Sequence, residues 1–159
     1  MQTASAPVVL VSAAVILEAG RVLLTQRKSG THLAGAWEFP GGKVEPDEDP
    51  RDTLVRELAE EIGVTATAGE IVEATFHRYP SKSVLLLFYE ARLSPGSPEP
   101  RALEVAAVRW ARASELLDEL FPPADLQVLA KVRARLLSWE VSWEGSGEVS
   151  SAARAEPPR

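Results

Sequence analysis

The chain of 159 residues contains no cysteine, which excludes disulfides and thiolate metal sites and leaves redox compartment unreadable from thiol usage. It lacks any run approaching eighteen apolar residues. The stretch from Val8 to Leu17 is apolar but has no basic segment before it, so it reads as a strand rather than a signal peptide or membrane span. No membrane contact and a cytoplasmic location are the expectation. Positive charge is also short: the net charge of −6 argues against stable nucleic-acid binding. It leaves room for a small phosphorylated substrate held through a metal, since a bound cation reverses the local sign. There is no internal repeat and no sign of a second domain. What remains, 45% hydrophobic and 25% charged residues, is the composition of one globular domain with a real core. That domain is expected over residues 7–144, between a disordered N-terminus at 1–6 and a disordered tail at 145–159 rich in Ser, Ala, Gly, Glu and Pro.

Ionisable groups concentrate at regular spacing in residues 42–64, GKVEPDEDPRDTLVRELAEEIGV. Asp49 suits a helix N-cap, Pro50 the first turn, and Asp52 the positive end of the helix dipole. A helix is therefore predicted from about Pro50, with Leu54, Val55, Leu58 and Ile62 as its core face and Gly63 as the left-handed stop. At about 100° per residue, Glu57, Glu60 and Glu61 project from one neighbouring arc. Their repulsion costs a few tenths of a kcal/mol per pair unless a cation offsets it. A hard divalent ion such as Mg²⁺ suits carboxylate oxygens, and it keeps sites for water and phosphate. The paired glycines before the helix allow close backbone approach to a ligand, with the Gly41 carbonyl as a further candidate metal ligand.

Written as a pattern, the stretch is Gly42, five residues, Glu48, seven residues, then Arg56-Glu57-Leu58-x-Glu60-Glu61-x-Gly63-Val64. This resembles the signature box of the Nudix hydrolases at every fixed position. The seven invariant letters, leaving out the aliphatic Leu58 and Val64, would coincide at about 6% each in roughly one window in a few hundred million. Outside the box the chain is similar to the MutT-type branch from about Val8 to Leu137. The landmarks are Arg27 with His32 five residues on, EFPGGK at 38–43, Glu104 six residues before Trp110, and FPPA at 121–124.

Before the box, residues 8–17 and 21–27 read as a hairpin turned at Ala19-Gly20, and 29–37 as a loop. After it, 70–79 and 83–93 read as a second hairpin turned at 80–82, followed by a proline-rich loop at 94–101 and a strand at 105–110. Ser114 is expected to cap a short helix to about Leu120. A last helix is expected from about Ala124 to Trp139, with Leu126, Leu129, Val132, Leu136 and Leu137 as its apolar face. The element order gives an α+β class. The resemblance implies the Nudix fold, an α/β/α sandwich with a mixed central sheet.

The resemblance also implies an activity: hydrolysis of a nucleoside triphosphate to the monophosphate and pyrophosphate, dependent on Mg²⁺ with Mn²⁺ able to substitute, in a monomer or homodimer. It implies Glu57, Glu60, Glu61, the Gly41 carbonyl and Glu104 as metal ligands, with Glu57 handling the attacking water. Arg56 is expected to hold the box glutamates. Glu48 either reaches a metal through water or braces the loop, while Gly42 and Gly63 shape the box. Arg27 is a triphosphate contact or a plain strand-end arginine, and His32 a phosphate or sugar contact or a structural hydrogen-bonder. Phe39 flanks the base or only packs, and Lys82 is a cation on a mobile loop. Asp125 departs from the branch, which has Asn after FPPA. An ionised carboxylate only accepts hydrogen bonds, so it would suit cytosine N4–H₂ or the guanine N1–H and N2–H₂ edge. Buried and protonated it could mimic Asn, and otherwise it caps the last helix. Oxidised purine nucleotides, 8-oxo-dGTP first, are the expected substrates, with CTP or a modified dCTP as the alternative and a non-catalytic nucleotide sensor as the reading from another class.

Overall fold

The computed structural model describes residues 5–145; residues 1–4 and 146–159, which carry most of the two expected disordered ends, lie outside the described residues. Eight strands and two α-helices follow one another as β1 (Val8–Val15), β2 (Leu17–Glu18), β3 (Arg21–Gln26), β4 (Trp37–Glu38), β5 (Gly41–Lys43), α1 (Pro50–Ile62), β6 (Ala66–Arg78), β7 (Ser83–Leu93), β8 (Ala107–Ala111) and α2 (Leu126–Gly145). One sheet is ordered β5-β1-β7-β6 and is mixed, because β1 runs parallel to β7 while its other pairings are antiparallel. In the other sheet β3 pairs β2, β4 and β8, all antiparallel.

Alternation along the strands shows how the layers stack. Ala13, Val15, Val22, Leu24 and Phe88 pack in a cluster with Val128, Leu129, Val132 and Leu136 of α2. Their sequence neighbours Ala14, Ile16, Leu23 and Tyr89 pack with Leu54, Leu58 and Ile62 of α1. A period of two in the strands therefore presents one face to each helix, which is the α/β/α arrangement of the Nudix fold. Leu54, Leu58 and Ile62 are completely buried. Truncating either leucine to Ala would cost about 2–5 kcal/mol. The buried Ser12 hydroxyl donates to the Pro50 carbonyl at 2.7 Å and fixes the start of α1 over β1.

Several local expectations are corrected. The first two strands do not form a hairpin: β1 pairs β5 and β7, β3 belongs to the other sheet, and only the short β2 folds back on β3. Continuous apolar sequence records burial on both faces but not which neighbour does the burying. The stretch read as the end of a loop and a lead-in to the box holds β4 (Trp37–Glu38) and β5 (Gly41–Lys43), and the strand read at 105–110 is Ala107–Ala111. The second hairpin forms, with β6 beginning earlier at Ala66. Ser114 does not cap a helix; a 3-10 turn at Ala113–Glu115 starts from Arg112, whose N–H donates to Glu115 at 2.7 Å, and a second turn covers Asp118–Leu120. The last helix starts after a 3-10 turn at Pro123–Asp125 and runs through Gly145, past the expected end at Trp139 and into the segment assigned to the tail. Val55, Leu126 and Leu137 are exposed, while Thr53 and Val128 take buried places on the two helices.

Candidate active site

The site begins with the helix that the box encodes. Asp49 accepts the Arg51 N–H at 2.8 Å as N-cap, and Gly63 adopts φ 70° with its N–H bonded back to Ala59 at 3.1 Å. Between these ends Arg56 gathers the acids. Its Nε and Nη2 clasp Glu48 at 2.8 and 2.9 Å, and its Nη1 donates to Glu57 at 2.9 Å and Glu60 at 3.3 Å. Glu48 also accepts from the Thr53 hydroxyl. The hydrogen bonds from Arg56 and then Thr53 hold its carboxyl down at about 2, so Glu48 is engaged as a brace between the loop and the helix. Bonding to Glu48 strengthens the hold of Arg56 on its own proton.

Gly42 lies so close to Glu57 that a Cβ there would fall 2.3 Å from its carboxyl carbon. Gly41 is excluded from carrying a side chain by the Ser12 carbonyl, 2.0 Å from where a Cβ would sit. Its N–H is a hydrogen-bond partner of Glu61, yet burial, followed by the charges of Glu57 and Glu38, pushes the Glu61 carboxyl up to about 8, with Glu104 adding to the rise. Glu57 is also raised, first by burial, against the pull of Arg56 and with Glu60 and Glu104 adding. Glu104 reaches this company because Leu103 and Glu104 donate their N–H groups to the Glu61 carbonyl at 3.0 and 3.1 Å, and Arg101 donates to Ile62 at 3.0 Å. The free carbonyls at the end of α1 thus anchor the loop.

The helix end opens into a cleft of about 260 Å³ whose floor is formed by Val9, Val11 and Ala13 of β1 and Val84, Leu86 and Phe88 of β7. Gly41, Gly42 and Glu61 line one part of it; Arg27, His32, Phe39, Lys82 and Asp125 also line it. Arg27 is held by Glu38, 3.0 Å from Nη1, and by the His32 carbonyl, to which its Nε donates. The Phe39 ring is buried against Phe88 and Phe121, with centroids 5.7 and 6.2 Å away. The backbone of Phe39 hydrogen-bonds Asp125, which is only 4% exposed. Burial, and then the charge of Glu38, pushes the Asp125 carboxyl up to about 8. Asp125 lines the cleft and is hydrogen-bonded to the Phe39 backbone.

Two further lining residues, not among the sequence candidates, bear on the chemistry of the cleft. Glu38 is ion-paired to Arg27 and raised chiefly by its burial, and its charge acts on Glu61, Tyr79 and Asp125. Position 38, inside EFPGGK, carried that signal. Tyr79 packs edge-on against both His32 and His77, at 4.9 and 4.5 Å. Nothing in its local sequence marked it.

Among the described residues no three acidic or imidazole side chains stand already arranged as metal ligands. The donor chemistry nonetheless fits a hard divalent cation. Glu57, Glu61 and Glu104 place charge on one another without a compensating side chain beyond Arg56, and oxygen donors of this kind suit Mg²⁺.

The acidic helix α1 lies on a mixed sheet beside a cleft lined by Arg27, Lys82 and Asp125, and sequence relatives make the chain a Nudix nucleotide pyrophosphohydrolase. The chain belongs to the Nudix hydrolase family: the NUDIX domain model matches residues 7–132. It is 40% identical over 119 residues to the CTP pyrophosphohydrolase of Escherichia coli, covering 75% of this chain and 87% of that one. It is 36% identical over 126 residues to the 8-oxo-dGTP diphosphatase of Haemophilus influenzae, covering 79% and 91%. The solution structure of the E. coli ORF135 protein superposes with a TM-score of 0.65 at 33% identity, covering 94% of this chain and all of that one.

Proposed function

We propose that the protein hydrolyses nucleoside triphosphates to the monophosphate and pyrophosphate with Mg²⁺, and that 8-oxo-dGTP is the preferred substrate. The observation that carries the base assignment is Asp125, buried in the cleft with its proton retained up to about pH 8. A neutral carboxyl donates once and accepts once. It therefore matches the O6 and N7–H of 8-oxoguanine, as an Asn would, and disfavours the two adjacent acceptors of ordinary guanine.

At the other end, Glu57, Glu60, Glu61 and Glu104, with the Gly41 carbonyl, would hold Mg²⁺. When bound, the ion neutralises the triphosphate and makes its water more acidic. The chain's own groups do the rest. Glu57, steered by Arg56, orients the attacking water and accepts its proton; Arg27 and Lys82 hold phosphate oxygens; Glu38 fixes the Arg27 guanidinium in the orientation this requires. The water oxygen bonds to phosphorus as the bridging P–O bond breaks, and pyrophosphate leaves.

A second reading, CTP or 5-methyl-dCTP, is favoured by the 40% likeness to the E. coli CTP pyrophosphohydrolase. A carboxyl accepts from cytosine N4–H₂ whether ionised or not, and when neutral it also donates to N3. Pyrophosphate release from a panel of 8-oxo-dGTP, dGTP, CTP, 5-methyl-dCTP and UTP, with and without Mg²⁺ at pH 7 and pH 9, separates the two. Preference for 8-oxo-dGTP that fades at pH 9 supports the first reading. Preference for cytosine nucleotides that persists at pH 9 supports the second.

A further inference from the structure

Asp125 alone offers one donor and one acceptor, which is few contacts for telling five bases apart. A second polar group faces the same space. We propose that the phenolic hydroxyl of Tyr79 reads the base together with Asp125, and that His32 and His77 hold its ring for that purpose; this rests on the base end of the cleft lying at Asp125.

Tyr79 closes the turn between β6 and β7, its N–H donating to the Lys82 carbonyl at 2.8 Å. Both histidines of the chain converge on its ring. His32 comes from the loop after β3, with interplanar angle 88°, and His77 from β6, with interplanar angle 63°. An aromatic side chain pinned at two edges has few directions left for its polar tip. The tip lies where charges from three other elements reach it: Asp125 before α2, Arg27 after β3, and Glu38 of β4. All of them, and the ring itself, line the cleft. No described residue takes the phenolic hydrogen bond, so both its donor and acceptor capacity are free for a ligand.

The chemistry complements Asp125. A carboxyl engaged with one donor–acceptor pair leaves a further keto oxygen of the base, O8 of 8-oxoguanine or O2 of cytosine, without a donor, and a phenol supplies one. Sites that hydrogen-bond a substrate group discriminate more strongly than apolar ones, because the wrong base leaves buried polar groups unpaired.

The test is Tyr79→Phe, which keeps the ring and removes only the hydroxyl, assayed on the same nucleotide panel beside Asp125→Asn and Asp125→Ala. The expected result is a fall of about tenfold in kcat/KM for the best substrate, little loss for the poorest, and an unchanged melting temperature. Tyr79→Leu should lose more, across all bases, because the wall goes with the hydroxyl. A Tyr79→Phe enzyme whose kcat/KM ratios between bases match those of the wild type overturns the proposal. If Asp125→Ala in the same experiment changes those ratios while Asp125→Asn keeps them, only the Tyr79 inference fails; if Asp125→Ala does not change them either, the base end has been misplaced altogether.

Discussion

The two ends of the cleft are built in opposite ways. The acidic end comes from one contiguous stretch: Arg56 bonds to Glu48, Glu57 and Glu60, all within residues 48–60, and a single distant residue, Glu104, joins them through the backbone. The other end, where we place the base, is lined by His32, Phe39, Tyr79 and Asp125, from loops and strands spread over about ninety positions. A helix can hold charge at fixed angles through local geometry alone, so the reaction can be encoded in a short motif. Shape around a base needs several walls, and walls come from tertiary packing. Chemistry and selectivity should therefore respond separately to substitution.

The sharpest break in that contrast is Glu57→Gln. Shape is kept and charge is lost, so turnover should fall by about a thousandfold, with an unaltered circular dichroism spectrum and a base ranking that, where activity is measurable, does not change. Near-normal pyrophosphate release would move the water-handling role off this helix. Arg56→Ala comes next: Glu48 and Glu57 lose their common partner, and kcat should drop by about ten- to a hundredfold with a lower melting temperature. Arg56→Lys should restore only part of this, since one ammonium cannot reproduce a fork that bonds three carboxylates. Full rescue by Lys would reduce the arginine to a source of charge.

Asp125→Asn is the smallest in rate and the most specific. At pH 7 it should keep both the wild-type ranking of bases and kcat on the best substrate, and at pH 9 it should hold the 8-oxo-dGTP preference that the wild type loses. It also has a signature in stability. The folded carboxyl keeps its proton up to about 8, against 3.8 for an unperturbed aspartate, so between those values the folded state binds a proton that the unfolded chain has released. Stability from this group is full below about pH 4 and is lost as pH rises toward 8. The Asn variant has nothing to lose there, so its melting temperature relative to wild type should climb across that window and level off above it. A gap independent of pH would mean that Asp125 is ionised in the fold.

The same division explains what could be read from the chain alone. The α1 boundaries, the Asp49 cap and the Gly63 stop follow from spacing along one helix, and the structure shows each of them. The β6–β7 hairpin was legible from two alternating runs around Pro80. Sheet order was not, because Val8 to Val15 carries the same apolar signal whether it pairs β3 or, as it does, β5 and β7. Val55 and Leu137 fit a helical stripe in sequence but point past the edge of the core. Tyr79 escaped notice because its importance comes from His32, forty-seven positions away.

The loop that carries Glu104 borrows its rigidity from α1. The amides of Arg101, Leu103 and Glu104 are bonded to the last carbonyls of the helix although they belong to irregular chain. Their hydrogens should exchange with solvent at the slow pace of the helix rather than that of a surface loop. Three backbone signals would then serve as a clock on the acidic end, speeding up whenever Glu61 and the loop part company.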